Sequence, residues 1–269
     1  MEGHRVSVIM GIYNCEATLE TSLNSLLKQS YQDFDVIMCD DGSNDNTLNI
    51  AKAFWEIYPE KFRLLKNKKN MGLNYTLNKC LAHAKGEYIA RMDGDDISLP
   101  YRFQKEVEFL DNHPDFSIVS SAMIYFDETG EWGFGRPKKI PQKKDFIAES
   151  PFAHAACMVR REAYKAVDGY TIDERLLKVE DYHLWIKMYA LGFKGYNFQQ
   201  PLYKMRDDQN AANRRNFKRR LNEAYVKYLA IKLLNLPFWY SIFALRPIIV
   251  WLLPNELYLY LHKKRLKLD

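Results

Sequence analysis

The chain of 269 residues lacks several common devices, and each absence narrows what it can do. No Gly-x-Gly-x-x-Gly follows the first apolar run, and no Gly-Lys-Ser/Thr phosphate loop is present. Gly133 and Gly135 lie in a later loop without a third glycine. The familiar glycine-rich cradles, which hold phosphate on backbone N–H groups, are therefore excluded, and any phosphate ligand needs a cation from elsewhere. Cysteine is sparse: Cys15, Cys39, Cys80 and Cys157 are far apart and show neither metal-ligand nor redox spacing. They read as reduced thiols of a cytosolic protein. Apolar runs are too short to span a membrane, which takes roughly 20 continuous residues. The stretches Leu236–Leu245 and Ile248–Leu253 are interrupted by Pro237, Arg246-Pro247 and Pro254. Met1-Glu2-Gly3-His4-Arg5 leads straight into a strand without the core of a signal peptide, which points to a cytoplasmic location. No nucleic-acid recognition motif is evident, so no nucleic-acid partner is expected.

What is present suits a folded enzyme. Hydrophobic residues make up 47% and charged residues 27%, the balance of an ordinary globular chain rather than a disordered one. The net charge of +5 is unevenly spread: residues 211–269 hold 12 Lys or Arg against 3 Asp or Glu, leaving −4 on the first 210. The expected organisation is a catalytic domain over residues 1–210 and a basic, apolar helical appendage over 211–269. Arg214, Arg215, Lys218, Arg219 and Arg220 form a basic stripe there. Trp239, Tyr240, Trp251, Tyr258 and Tyr260, with Lys263, Lys264, Arg265 and Lys267, suit peripheral contact with an anionic membrane at its cytoplasmic face. Packing of these helices on the catalytic domain or on a second subunit is the plainer reading.

The first 125 residues alternate between short β-branched or apolar runs and helical periods. Strands are expected at Val6–Met10, Phe34–Cys39, Phe62–Leu65, Tyr88–Met92 and Phe116–Tyr125. Helices are expected from Ala17 to Leu27, from Asp45 or Asn46 to Tyr58, from about Asn70 to Ala84, and from Tyr101 to Asn112. This is the pattern of βαβ units: an α/β fold with a mostly parallel sheet flanked by helices. Residues 126–150 read as an irregular loop, Phe152–Val159 as extended, and Arg161–Val167 as a short helix. A further helix begins at Glu180-Asp181, carboxylates placed where the positive helix end favours them.

Right-handed crossovers put the strand C-termini on one edge, where open α/β sheets bind ligands. The first strand ends in Gly11, Tyr13 and Asn14, the second in Asp40, Asp41 and Ser43, and the fourth in Asp93, Asp95 and Asp96. Carboxylates packed this closely repel one another, and a bound divalent cation is the simplest reason to gather them. Mg²⁺ or Mn²⁺ takes such oxygen ligands and is commonly completed by substrate phosphates. An acidic strand-to-helix turn, with Asp96 or Ser98 capping the helix, is the bland alternative.

With these motifs in order, the chain resembles family-2 inverting glycosyltransferases of the GT-A fold, a Rossmann-like nucleotide-diphospho-sugar architecture, over roughly residues 5–206. The matching pieces are Val6–Met10 with Tyr13-Asn14, Asp40-Asp41-Gly42-Ser43-Asn44-Asp45, Asn70-Met71-Gly72-Leu73, Asp93-Gly94-Asp95-Asp96, His154, and Glu180-Asp181 with Trp185. Gly11-Ile12 departs from the proline of many members. The resemblance implies a hexosyl-type transferase that moves sugar from a nucleoside-diphosphate sugar, UDP-linked by expectation, to a glycan or lipid-linked acceptor in surface polysaccharide synthesis. It implies nucleotide contacts at Gly11, Tyr13, Asn14, Asp41, Gly72 and Asp93, with Mn²⁺ or Mg²⁺ on Asp95 or Asp96. Asp181 matches the catalytic base. His154, Glu180 and Trp185 would lie on the acceptor side or behind it, although Trp185 packed in the core is the plainer reading. A sugar nucleotidyltransferase is the competing enzyme, but it should carry a basic glycine-rich loop after the first strand. A non-catalytic membrane adaptor of similar shape is the other alternative.

Overall fold

The computed structural model describes residues 4–207 and 217–251. Nine strands form one sheet: β1 (Val6–Ile12), β2 (Phe34–Asp40), β3 (Phe62–Lys66), β4 (Tyr88–Arg91), β5 (Ile97–Ser98), β6 (Ile118–Asp127), β7 (Gly130–Gly135), β8 (Met158–Arg160) and β9 (Gly195–Arg206). Their order is β3-β2-β1-β4-β8-β6-β9-β5, with β7 paired to β6. β3, β2, β1 and β4 run parallel, as the alternating pattern predicts. β8 enters antiparallel between β4 and β6, and β9 lies parallel to β6.

Helices cover both faces. α1 (Leu19–Leu27), α2 (Thr47–Ile57) and α4 (Arg102–Asn112) share a core with Val8 and Met10 of β1. On the other face, Ile9 packs with α3 (Leu73–His83), α5 (Arg161–Ala166), α6 (Glu180–Ala190) and α7 (Phe217–Leu233). Successive residues Val8, Ile9 and Met10 of β1 thus serve opposite cores, which is why this part of the strand reads as a continuous apolar run rather than an alternating one. α8 (Ser241–Ala244) and α9 (Arg246–Trp251) follow α7.

Several elements depart from the sequence expectation. β7 lies within the stretch expected to be loop: its glycines suggest a turn, but pairing with β6 supplies its backbone partners. β9 is interrupted by Pro201, ordinarily a breaker, and the β6 register shifts at Ala122 opposite it. Phe152–Val159 is not extended throughout: a 3-10 turn at His154–Ala156 precedes a strand of only Met158–Arg160. The helix after the acid cluster has Tyr101 at its N-cap and no side-chain cap, so neither Asp96 nor Ser98 serves as one.

α7 belongs to the packed body. Its Val226, Ala230 and Ile231 share a core with Leu184 and Trp185 of α6. Among the described residues no helix is long and apolar enough to cross a membrane. Phe238, Trp239, Ile242, Phe243 and Ile249 are exposed around α8 and α9. The basic and aromatic positions Arg214, Arg215, Tyr258, Tyr260, Lys263, Lys264, Arg265 and Lys267 lie outside the described residues.

Candidate active site

A cavity of about 1080 Å³ opens at the C-terminal edge of the parallel strands. Gly11, Tyr13 and Asn14 line it after β1, Asp41 and Asp45 after β2, and Asp93 and Asp95 after β4. Gly72 at the start of α3, Glu180 at the start of α6, and Lys218, Arg219 and Asn222 of α7 complete the wall. Strand parallelism gathers Gly11 to Asp95 at one edge, and the packing of α6 and α7 adds groups more than 80 positions further on.

The loops at this edge brace one another. Asn14, at φ 46, accepts the Asn44 N–H on Oδ1 at 2.9 Å and donates its own N–H to Ser43 Oγ at 3.1 Å. The Asp41 carboxylate accepts three donors: the Met71 N–H at 2.8 Å, the Gly72 N–H at 2.9 Å, and Asn67 Nδ2 at 2.8 Å. Its first structural role is to fix the loop before α3. Gly42 makes that approach possible: at φ +75, a Cβ there would lie 2.7 Å from the Lys69 carbonyl carbon. The Tyr13 ring is 44% exposed on the cavity, a flat face open to a planar ligand.

The acid turn is held from α1 and β9. Ser22 Oγ donates to the Asp93 carbonyl at 2.8 Å, and Thr18 Oγ1 to the Gly94 carbonyl at 2.9 Å. The buried Arg91 guanidinium lies 2.5 Å from Asp93 Oδ1. Burial, and then the charge of Asp93, push the Asp95 carboxyl above its usual range. The same two causes, with Asp95 third, push Asp96 well above it. The structure does not bring Asp96 to the cavity: at 2% exposure it accepts the Arg206 backbone N–H at 2.8 Å. That bond ties the turn to β9.

Among the described residues no three His, Cys, Asp or Glu side chains close around a point as a preformed metal centre. What faces the cavity is the pair Asp93 and Asp95, oxygen donors at the end of β4. That set fits an open Mg²⁺ or Mn²⁺ site, which takes one or two carboxylates and leaves the remaining positions to phosphate and water.

Across the cavity, Glu180 lines the wall, and its Oε2 is buried without a hydrogen-bond partner. Asp181 follows it in the first turn of α6, half-buried and outside the cavity lining. Burial, with the charge of Glu180 second, pushes the Asp181 carboxyl up to about 7. His154 does not line the cavity: Nε2 lies 2.7 Å from the Tyr170 hydroxyl, and burial followed by the charge of Arg91 holds the ring well below its usual range, hence neutral. Trp185 is 0% exposed and packs edge-on against Phe152 at 5.6 Å, so its face is spent on the core rather than on a sugar.

Residues that sequence reasoning passed over hold this side together. Asn222 Nδ2 donates to the Leu177 carbonyl at 3.0 Å and to the Glu174 carbonyl at 3.4 Å. Lys227 Nζ, buried, donates to the carbonyls of Ile147 at 2.7 Å and Ala148 at 2.8 Å. α7 thereby fastens the loop before α6 and the loop leading to Ser150. The only sequence signal was polar residues on the apolar side of a helical period, which reads as ordinary surface.

A mixed sheet between two helical layers, with a carboxylate-lined cavity at the parallel strand ends, is the GT-A architecture. The sequence model of Glycosyl transferase family 2 matches residues 7–168. EpsE of Bacillus subtilis (strain 168) is 42% identical over 98% of this chain and 95% of its own length. A UDP-Gal:alpha-D-GlcNAc-diphosphoundecaprenol beta-1,3-galactosyltransferase of Escherichia coli is 32% identical over 97% of this chain and 96% of that protein. The chain belongs to glycosyltransferase family 2, whose relatives here serve polysaccharide and lipid-linked glycan synthesis. Among solved structures, residues 1–349 of S. aureus TarS with UDP-GlcNAc superpose at a TM-score of 0.65, with 19% identity, over 96% of this chain and 79% of that one. In the longer TarS structure this chain spans 42% of the length. The Pyrobaculum calidifontis mannosyltransferase PcManGT, in complex with GDP-Man and Mn²⁺, superposes at 0.60 with 20% identity, over 98% of this chain and 81% of that one.

Proposed function

We propose that this glycosyltransferase is metal-dependent and inverting, and moves a sugar from a UDP-sugar to a hydroxyl of a lipid-linked or growing surface glycan. The observation that carries the reading is a single cavity bounded by Tyr13 and Asp41, by Asp93 and Asp95, and by the first turn of α6. Tyr13 offers its ring to the base, and Asp93 and Asp95 hold Mn²⁺ or Mg²⁺. When bound, the ion offsets charge on the leaving nucleoside diphosphate. TarS with UDP-GlcNAc and PcManGT with Mn²⁺ support the donor class and the metal.

Asp181 takes the proton from the acceptor hydroxyl. Its oxygen attacks the anomeric carbon as the bond to the diphosphate breaks on the opposite face, so one displacement inverts the configuration. A carboxyl pushed up to about 7 suits that work, because a general base is most effective with a pKa near the working pH. Glu180 orients the acceptor from the wall. One observation favours a second reading, with Glu180 as the base: its Oε2 lies buried and unpartnered beside the cavity. The exposed aromatic surface of α8 and α9 supports peripheral attachment to the cytoplasmic face of a membrane.

The deciding experiment has two stages. Thermal shifts with UDP, GDP and their sugars, each with and without Mn²⁺, identify the donor; UDP with Mn²⁺ is expected to stabilise most. Transfer by Asp181→Asn and Glu180→Gln is then compared. Loss of turnover in Asp181→Asn with retained UDP binding upholds Asp181, whereas full turnover in Asp181→Asn with loss in Glu180→Gln reassigns the base.

A further inference from the structure

We infer that the first turn of α7 builds a second anion site in the same cavity, made by Lys218 and Arg219 with Lys178, and that it takes the diphosphate of a prenyl-diphosphate-linked acceptor. The inference rests on the lipid-linked acceptor proposed above and names the residues that receive it.

The cavity is electrically two-ended. Its strand-end side carries Asp41, Asp93 and Asp95, while Lys178, Lys218 and Arg219 line the α6–α7 side. The acid side holds one cation, Arg206, among five carboxylates, and the α6–α7 side one carboxylate, Glu180, among three cations. At about 1080 Å³ the space lies at the upper end of the range for small-ligand sites, roughly 300–1,000 Å³.

The cationic side is built rather than incidental. Lys178 is held at φ 67, a left-handed conformation that a lysine adopts only when its surroundings impose it. Asn222, one turn beyond Lys218 and Arg219, bonds the neighbouring Leu177 carbonyl at 3.0 Å. Lys218 lies 3.9 Å from Glu174 Oε2, and Arg219 lies 3.3 Å from Glu223 Oε1. Both are surface pairs, which a diphosphate with its denser charge and several acceptor oxygens can outbid.

The apolar surroundings select the ligand class. Phe217, immediately before Lys218, has its ring 4.9 Å from that of Trp251 at the end of α9. Both rings are exposed, as is Ile249 of the same helix as Trp251. An apolar patch therefore adjoins the first turn of α7, which carries Lys218 and Arg219 into the cavity wall. A nucleotide-sugar has no group for such a surface. A prenyl diphosphate has both parts in the right order, with its chain on this patch, its diphosphate on α7, and the attached sugar directed inward to Glu180 and Asp181.

The test measures binding of geranyl diphosphate to the full chain in EDTA, with geraniol as the phosphate-free control. It is run with and without saturating UDP, which separates acceptor from donor diphosphate. Geranyl diphosphate is expected to bind without metal, to persist beside UDP, and to exceed geraniol. Lys218→Gln and Arg219→Gln should each weaken it about tenfold, as loss of a charge-assisted hydrogen bond does. Lys218→Arg and Arg219→Lys should restore it, and Lys232→Gln, at the far end of the same helix, should leave it unchanged. Equal binding by the Gln variants and the parent overturns the site. Complete displacement by UDP also overturns it, assigning the cations to the donor. If UDP with Mn²⁺ gives no thermal shift while geranyl diphosphate binding depends on Lys218 and Arg219, the donor reading fails and this site stands.

Discussion

Asn222 Nδ2 donates to the Leu177 carbonyl across 3.0 Å, fastening α7 to the loop that launches α6. Three and four residues after Leu177 come Glu180 and Asp181. The helix after the family's matched region, residues 7–168, therefore sets the position of the proposed acceptor-side carboxylates. Asn222→Ala is expected to cost about 1–2 kcal/mol in stability and to lower kcat more than it changes donor KM. Lys227→Met removes the donor to the buried Ile147 carbonyl and the partly buried Ala148 carbonyl and should cost about 1–3 kcal/mol, read from urea midpoints.

Asp181 makes activity depend on pH in a defined direction. As a base with a pKa about 7, it works only when ionised, so kcat should rise through neutrality and level off above it. The same shift carries a stability signature. Its folded pKa lies above the ordinary 3.8, so the folded state binds more protons in between, and stability falls as pH rises through that window. Asp181→Asn should therefore melt higher than the parent at pH 8, with the gain shrinking toward pH 5. Equal melting at both values would contradict the burial of this carboxyl.

The acid turn separates metal binding from scaffolding. Asp95→Asn should abolish the Mn²⁺-dependent part of the UDP thermal shift while leaving the metal-free part. Asp96→Leu removes the acceptor of the buried Arg206 N–H bond and should instead lower stability by about 1–3 kcal/mol. If Asp96→Asn, which keeps an acceptor oxygen, alone removed the Mn²⁺ effect, the ligand would be Asp96.

Arg102 and Glu106 form an ion pair at 3.1 Å with both side chains fully buried. Burial, partly opposed by Arg102, pushes the Glu106 carboxyl up to about 7. Arg102 also donates to the carbonyls of Arg91 and Cys157, one on either side of the β4–β8 junction. Glu106→Ala leaves the guanidinium buried with an uncompensated charge and should cost about 3–5 kcal/mol in chemical denaturation.

The exposed rings of α8 predict a membrane-binding phenotype. Trp239→Ser with Phe243→Ser should reduce co-sedimentation with anionic vesicles by about an order of magnitude, given the apolar area withdrawn. Raising salt should weaken binding by parent and variant alike, since the basic contribution is screened over about 10 Å at 0.1 M.

The sequence by itself determined the parallel half of the sheet and the edge that carries the site. Runs such as Val8–Met10 and Val36–Cys39 are apolar because both faces are covered, and the polar residues that follow them can only collect at one edge. Tyr13, Asp41, Asp93 and Asp95 were legible for that reason, Glu180 through the family resemblance, and all five line one cavity. Tertiary structure alone decided what depends on contacts distant in sequence. β9 exists despite Pro201 because β6 shifts register to receive it. Asp96 turns from the cavity because Arg206, 110 positions later, offers it an N–H. Trp185 is core because Phe152 packs on its ring. The α7 cations reach the cavity because Val226 and Ala230 bury that helix beside α6, a placement that no local pattern encodes.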